Sequence, residues 1–320
     1  MRAIALTGPT ASGKTALSLA IARALGCEII SLDSMQIYRG MDVGTAKATA
    51  AERAAVPHHM LDVVDPTDPF SAEDYRTAAL ECARDITARG LVPLFVGGTG
   101  LYLDTLMRGS AALSPPSDPD LRDRLMSEGG TEEGRDRLYA RLMEVDPASA
   151  EKTHKNNLRR VVRALEIFEL TGMTKTHFDE ASRVASPDIS VLHFTLDFED
   201  RELLYSRVDA RVDEMMDEGL IDEVRALYER GMLDGDTTAA QAIGYKELLP
   251  YITGECDLDT AVSLIKLSTR RYAKRQLTWF RHNSDAVRIT VDRDGKIRDR
   301  DDLLSEILPL ATEFLARLDC

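Results

Sequence analysis

The sequence predicts an α/β fold, a parallel sheet with helices on both faces, interrupted by a helical insertion domain. Three observations carry this. Short apolar runs alternate with helix-period segments over the first hundred residues, the pattern of a sheet covered on both sides. A turn-rich stretch, Ser114-Pro-Pro-Ser-Asp-Pro119, then breaks the alternation, and only helical patterns follow until about Ser186-Pro187. After that break the strand pattern returns once and long amphipathic helices follow. At 320 residues the chain has the length of roughly two domains. We expect a core domain over 1–114 and 188–320 and an insertion domain over 115–187.

In chain order, Ala3-Ile4-Ala5-Leu6 reads as a buried strand and Ala16–Leu25 as a helix stopped by Gly26. Glu28–Leu32 reads as a second strand, ending at Asp33. Met60–Val64, which His58-His59 would open, and Leu91–Val96 are further strand candidates, with a helix over Ser71–Ala88 before the latter. In the insertion, Asp118-Pro119 and Asp146-Pro147 each look like an N-cap followed by proline at the first helical position, and Thr171-Gly172 like a helix stop. Val191–Leu196 is the returning strand, and Val287–Val291 a late one. There are no internal repeats or low-complexity tracts.

Composition narrows the class. Hydrophobic residues at 44% and charged residues at 29% fit an ordinary globular protein and exclude disorder, collagen and a disulfide scaffold. No apolar run approaches the ~18 residues of a membrane span, and the N-terminal apolar stretch is too short for a signal-peptide core. Cys27, Cys82, Cys256 and Cys320 are scattered without metal or disulfide spacing, as are the six histidines without metal spacing. The expectation is a cytoplasmic protein with inert thiols. Forty basic against 54 acidic residues give a net charge of −14, which by itself argues against nucleic acid. Two acid-free basic stretches run against that average. Lys152–Leu165 holds Lys152, Lys155, Arg159, Arg160 and Arg163; Thr260–Ser284 holds Lys266, Arg270, Arg271, Lys274, Arg275 and Arg281.

The most specific local signal is Gly8-Pro9-Thr10-Ala11-Ser12-Gly13-Lys14-Thr15, a full G-x-x-x-x-G-K-[ST] loop between a predicted strand and helix. Its glycines let backbone N–H groups converge on phosphate oxygens, and the following helix adds its positive dipole end. Lys14 supplies a point charge, and the Thr15 hydroxyl can ligate Mg²⁺. The core is therefore expected to be P-loop NTPase-like. The motif leaves its ligand open between a nucleoside triphosphate and another diphosphate. Two details weigh against an ATP-using kinase. The Leu94-Phe-Val-Gly-Gly98 strand ends in glycines instead of a metal-holding carboxylate. Asp33 is followed by Ser34-Met35-Gln36-Ile37-Tyr38, a run with hydrogen-bonding side chains suited to reading a base.

The sequence resembles the tRNA dimethylallyltransferase family through five blocks: Gly8–Thr15; Asp33–Lys47 (DSMQIYRGMDVGTAK); Gly97–Tyr102 (GGTGLY); Gln241-Ala242-Ile243-Gly244-Tyr245-Lys246; and Lys274-Arg275-Gln276-Leu277-Thr278-Trp279-Phe280-Arg281. They span nearly the whole chain. The resemblance implies transfer of a dimethylallyl group from dimethylallyl diphosphate to N6 of the adenosine 3′ of the anticodon in tRNA, without ATP consumption. It implies that Asp33 is the base, that Thr99 stands beside donor and target, that the loop with Lys14 and Thr15 cradles the diphosphate, and that Mg²⁺ is the cofactor. It further implies tRNA contacts from Ser34, Met35, Gln36, Arg122, Arg159, Arg160, Arg163, the Gln241–Lys246 block and the Lys274–Arg281 block. The insertion would close over the anticodon stem-loop. The chain ends at Cys320 without the zinc finger common in eukaryotic relatives, so it resembles the compact bacterial form, and a monomer is expected. The competing readings are an isopentenyltransferase on free adenine nucleotides and a P-loop small-molecule kinase.

Overall fold

The structure is a computed structural model that describes residues 1–107, 115–184, 188–235, 237–283 and 285–317. Ser114, Ser186-Pro187, Ser284 and Cys320 therefore lie outside the described residues. Two compact units divide the chain, residues 1–107 with 189–320 and residues 108–188.

The larger unit begins with β1 (Arg2–Thr7), α1 (Lys14–Leu25), β2 (Cys27–Leu32), α2 (Ala50–Ala55), β3 (His58–His59), α3 (Ala72–Ala88), β4 (Val92–Gly97) and α4 (Gly100–Leu106). The smaller unit is α5 (Pro119–Glu128), α6 (Glu132–Val145), α7 (Pro147–Glu151), α8 (Leu158–Thr171) and α9 (Lys175–Val184). The chain then returns through β5 (Ser190–Asp197), α10 (Arg201–Asp217), α11 (Leu220–Glu229), α12 (Tyr245–Ile252) and α13 (Leu258–Arg281). It closes with β6 (Val287–Thr290), the small pair β7 (Asp292–Arg293) and β8 (Lys296–Ile297), and α14 (Arg300–Ala316).

Six strands form one parallel sheet in the order β3-β2-β4-β1-β5-β6. Side-chain alternation sends Ile4 and Leu6 of β1 to one face, against Leu17 and Ile21 of α1, Leu277 of α13 and Ile307 of α14. Ala3 and Ala5 go to the other, where Tyr75, Ala79 and Ala83 of α3 and Leu103 of α4 cover them. A third apolar cluster joins Ile37, Tyr38 and Met41 to α10–α13 through Val212, Leu220, Val224 and Ile265. β1, β2 and β4 all end at one edge, where the order turns back on itself between β4 and β1. Ligands of open α/β sheets bind at such a point.

The helix signals act locally as their chemistry requires. Gly26 ends α1 at φ 66°, and Ser71 opens α3 with a reciprocal capping box to Asp74. In the smaller unit, Asp118 and Asp146 accept from backbone N–H groups ahead of Pro119 and Pro147, and Gly172 ends α8 at φ 71°. Leu121, Leu125, Leu138, Leu142, Val161 and Leu165 form that unit's own core. One expected strand is corrected. The third strand is the histidine pair itself, not Met60–Val64. Met60 and Asp62 take φ of 60° and 58°, which breaks extended pairing. Asp62 is held there by Lys47 and Arg53 at 2.6 and 2.8 Å.

No helix among the described residues is long and apolar enough to cross a membrane. Cys27, Cys82 and Cys256 are free thiols, and burial raises the Cys27 thiol to about 12.

Candidate active site

A cavity of about 1210 Å³ opens where β1, β2 and β4 end, lined by the loop from Thr10 to Thr15 and by Asp33 to Gln36. Three constraints shape the loop. Gly8 sits at φ 148°, and a Cβ there would fall 2.9 Å from the Leu196 side chain, so only glycine lets the loop leave β1 beside β5. Gly13 caps α1 at φ 87°. Lys14 folds back over the loop and donates to the carbonyls of Gly8 (2.9 Å) and Pro9 (2.6 Å). Of the loop amides, that of Thr10 is taken by the Gln276 side chain at 2.9 Å, which leaves its neighbours as the candidates for an anion-binding nest. Burial lowers the Lys14 ammonium to about 8, and the charge of Asp33 opposes that shift.

Asp33 stands at the exit of β2. Its Oδ1 accepts from the Met35 N–H at 2.8 Å and the Gln36 N–H at 3.4 Å, closing an Asx-type turn. No hydrogen bond to Oδ2 occurs among the described residues. Burial raises the Asp33 carboxyl above its ordinary value, while the two amides and then the Lys14 charge pull it down. The result is a carboxylate with one oxygen fixed and the other available as a proton acceptor. Thr99, at the exit of β4, accepts from the Ser34 N–H at 3.1 Å and so ties the two strand ends together. Gly97 cannot be replaced by a carboxylate: a Cβ there would lie 2.1 Å from the Leu32 carbonyl oxygen.

The chain belongs to the IPP transferase family. A family model described as IPP transferase matches residues 36–283, and one described as isopentenyl transferase matches residues 1–63. The chain is 46% identical over 284 residues to a tRNA dimethylallyltransferase of Shouchella clausii, covering 89% of each chain. To that of Geobacter metallireducens it is 46% identical over 307 residues, 96% of each. Among solved structures, a tRNA isopentenylpyrophosphate transferase of Bacillus halodurans is 39% identical with a TM-score of 0.68, covering 99% of both chains. A eukaryotic dimethylallyltransferase acting on tRNA is 28% identical with a TM-score of 0.79, covering 98% of this chain and 79% of its own. The membership is the one the five sequence blocks suggest, and the six-stranded parallel sheet is the fold they imply.

Within this IPP transferase, the residues expected to contact tRNA divide into three groups. Ser34 and Met35 line the cavity, as do Gln241, Ala242, Ile243, Gly244, Lys246 and Arg275. A second group lies elsewhere on the surface. Lys274 and Thr278 are exposed on α13, and Trp279 is 42% exposed against Gly100, where a Cβ would come within 2.3 Å of the indole. Arg159 and Arg160 are exposed on α8 and make no ion pair among the described residues.

The third group has its side chains committed to the protein. Gln36 holds Ser31, Thr45 and Ala46 at 2.8–3.3 Å. Tyr245 is fully buried and donates to Glu223 at 2.5 Å. Leu277 and Phe280 are buried, and Arg281 pairs with Asp197 at 2.7 Å. Arg122 and Arg163 converge on Glu166, which is 0% exposed, at 3.0 and 2.7 Å. Gln276 is 5% exposed and bridges two loops.

Three positions that line or support the cavity carry no motif and escape the sequence. Arg207 of α10 lines the cavity and donates to the Ala11 carbonyl at 2.9 Å, bringing a cation to the phosphate loop. Tyr272 of α13 lines it beside Thr99 and Gln276, with the Arg275 guanidinium 5.6 Å from its ring centroid. Glu223 accepts from the N–H groups of Asp42, Val43 and Gly44 at 2.8–3.0 Å and shapes the wall opposite. Only the basic and acidic identities of Arg207 and Glu223 were visible beforehand, and nothing in the local pattern separates them from solvated neighbours.

Proposed function

We propose that this chain transfers a dimethylallyl group from dimethylallyl diphosphate to the exocyclic N6 of the adenosine 3′ of the anticodon in tRNA, releasing diphosphate. The observation that carries the reading is the placement, in one cavity, of a phosphate loop and a half-buried carboxylate with one unbonded oxygen. The Gly97 contact with Leu32 weighs against a kinase-like arrangement, because no metal-holding acid fits at that strand end.

The adenine amine is a poor nucleophile, since its lone pair is delocalised into the ring. In the proposed step, N6 forms a bond to C1 of the dimethylallyl group as the C1–O bond breaks. The N6 proton passes to Oδ2 of Asp33, and the electron pair of the broken bond leaves with diphosphate. Lys14, Arg207 and the amides of the loop meet the negative charge that builds on the leaving group. Thr99 holds the Asp33 turn through Ser34 and so orients the base. The target adenosine must leave its stack to reach a carboxylate in a cavity.

Among the described residues no group of three His, Cys, Asp or Glu side chains could cage a metal, and Thr15 is exposed in the first turn of α1. This fits Mg²⁺ held mainly by the diphosphate, with the Thr15 hydroxyl as its protein ligand. When bound, it would neutralise phosphate charge. Arg159, Arg160, Arg271 and Lys274 are the exposed cations best suited to tRNA phosphates, and the helical unit would close over the anticodon stem-loop. We assign the working form as a cytoplasmic monomer.

Digestion of tRNA after reaction tests the reading. The modified nucleoside should be N6-dimethylallyladenosine from the position after the anticodon alone. Prenyl groups scattered over other adenosines would refute the site, and a phosphorylated small molecule with ATP consumed would refute the chemistry.

A further inference from the structure

Gln276 sits one helical turn beyond Tyr272 on the inner side of α13. Its Oε1 accepts from the Thr10 N–H of the phosphate loop at 2.9 Å, and its Nε2 donates to the Gly98 carbonyl at 3.0 Å. Both bonds reach across more than 170 residues of chain, and the amide is 5% exposed. Gly98 is the residue before Thr99, and a Cβ on it would lie 2.0 Å from Nε2, so a side chain there would displace the Gln276 amide. Thr99 in turn accepts from the Ser34 N–H, next to Asp33. A continuous polar chain therefore runs from the donor loop through Gln276, Gly98, Thr99 and Ser34 to the base. Tyr272 lines the same cavity one turn before Gln276, with the Arg275 guanidinium 5.6 Å from its ring centroid, and burial and the Asp33 charge raise its hydroxyl. Polar contacts of this kind shorten when a catalytic complex assembles.

We propose that Gln276 and Tyr272 are positioning residues, which set the phosphate loop and the Asp33–Thr99 side in register for transfer, and that Gln276 does not contact tRNA. The inference rests on the prenyl-transfer reading above. The outer side of the same helix carries Arg271 and Lys274, both exposed. An RNA seated on that surface would thus lie on the element that braces both halves of the site.

The physical reason is geometric. Transfer needs C1 of the donor and N6 of the acceptor within contact distance and in line, and small misplacements are expensive in rate. Thr10 is the apex of the donor loop and Gly98 precedes the acceptor-side threonine. A single side chain bonded to both holds that separation in a way that two independent loops would not. The Thr10 amide is meanwhile taken out of the phosphate-binding set, so Gln276 contributes to loop shape and not to charge.

The test compares the full-length protein with Gln276→Met, which keeps volume and removes both bonds, and Tyr272→Phe, which keeps the ring. Steady-state transfer, binding of inorganic diphosphate by calorimetry, tRNA binding and melting temperature are read on each. Gln276→Met should lower kcat by about tenfold or more and weaken inorganic diphosphate about tenfold, the effect of losing one to two hydrogen bonds. Its KM for tRNA should stay within about twofold, a change far below one lost hydrogen bond. Tyr272→Phe should lower kcat by about three- to tenfold with diphosphate binding unchanged.

A rise in the KM for tRNA with kcat unchanged would overturn the assignment and return Gln276 to the RNA interface. A lower melting temperature with unaltered kcat per folded molecule would reduce both residues to packing. If the wild-type protein transfers no prenyl group, the functional reading fails and this inference with it, while the diphosphate calorimetry still reads whether Gln276 shapes the phosphate loop. Transfer by the wild type with unchanged variants overturns this inference alone.

Discussion

Asp33→Asn separates the two duties of one carboxylate. The amide keeps an oxygen for the N–H groups of Met35 and Gln36, at 2.8 and 3.4 Å in the wild type, so the turn after β2 should persist. What it loses is the proton acceptor at Oδ2. General-base catalysis by a positioned side chain contributes about 10²- to 10⁴-fold, so kcat should fall by that range while tRNA affinity changes little. Asp33→Ala should show the same loss of turnover plus about 1 kcal/mol of destabilisation from the missing turn acceptor.

Stability should move the other way in Asp33→Asn. Burial raises the Asp33 carboxyl, so the folded protein holds its proton to higher pH than the unfolded chain does. Stability is lost as pH climbs through that window, and the cost of the buried charge is fully present above the raised value. At neutral pH the variant should therefore melt higher than wild type. The acid limb of the wild-type kcat/KM profile should likewise lie above the ordinary carboxylate range. Single-turnover transfer at saturating substrates, filter binding of tRNA and calorimetric melting give all three quantities. Retention of more than about a tenth of wild-type kcat would fall outside the general-base range and refute Asp33 as the base.

Other outcomes follow from the same structure. Lys14 is lowered to about 8 by burial, so inorganic diphosphate should bind most tightly below that pH and weaken as pH rises through it; calorimetry of Lys14→Met should show a flat profile there. His193 is buried against Thr7 at 2.7 Å and lowered from 6.5 to about 4. The unfolded chain takes up that proton first, so stability should fall as pH drops from 6.5 toward 4, and His193→Gln should remove this part of the acid sensitivity in urea titrations. Arg159→Ala with Arg160→Ala should weaken tRNA binding and reduce its salt slope by roughly two, with melting unchanged. Arg163→Ala should instead cost about 2–3 kcal/mol, because Glu166 is left buried with Arg122 as its remaining cation; equal melting temperatures would contradict that.

Local chemistry was legible where local physics decides the structure. The Gly26 stop and the two Asp-Pro helix starts depend on neighbours within four residues, and the phosphate loop was legible because its motif lies in one run of eight residues. Met60–Val64 misled because its apolar content fits a strand, while the Lys47–Asp62–Arg53 ion pairs that hold Asp62 in its turn come from positions up to 15 residues away. The basic runs were visible as charge, but charge alone does not say which arginine turns inward. Arg163 and Arg122 are spoken for by Glu166, 3 and 44 residues away, while Arg159 and Arg160 on the same run remain exposed. Gln276 stood inside a recognisable motif, yet its partners Thr10 and Gly98 are 266 and 178 residues distant. Arg207 and Tyr272 reach the cavity only because long helices fold back over the strand ends.

The most direct measurement is transfer of labelled dimethylallyl diphosphate, with Mg²⁺, into unmodified tRNA whose anticodon is followed by adenosine, with AMP and ATP offered in parallel. Label should enter tRNA alone, with one diphosphate released per prenyl group and no ATP consumed. Label in free nucleotide, or ATP hydrolysed without prenyl transfer, would contradict the assignment of the cavity to a tRNA prenyltransferase.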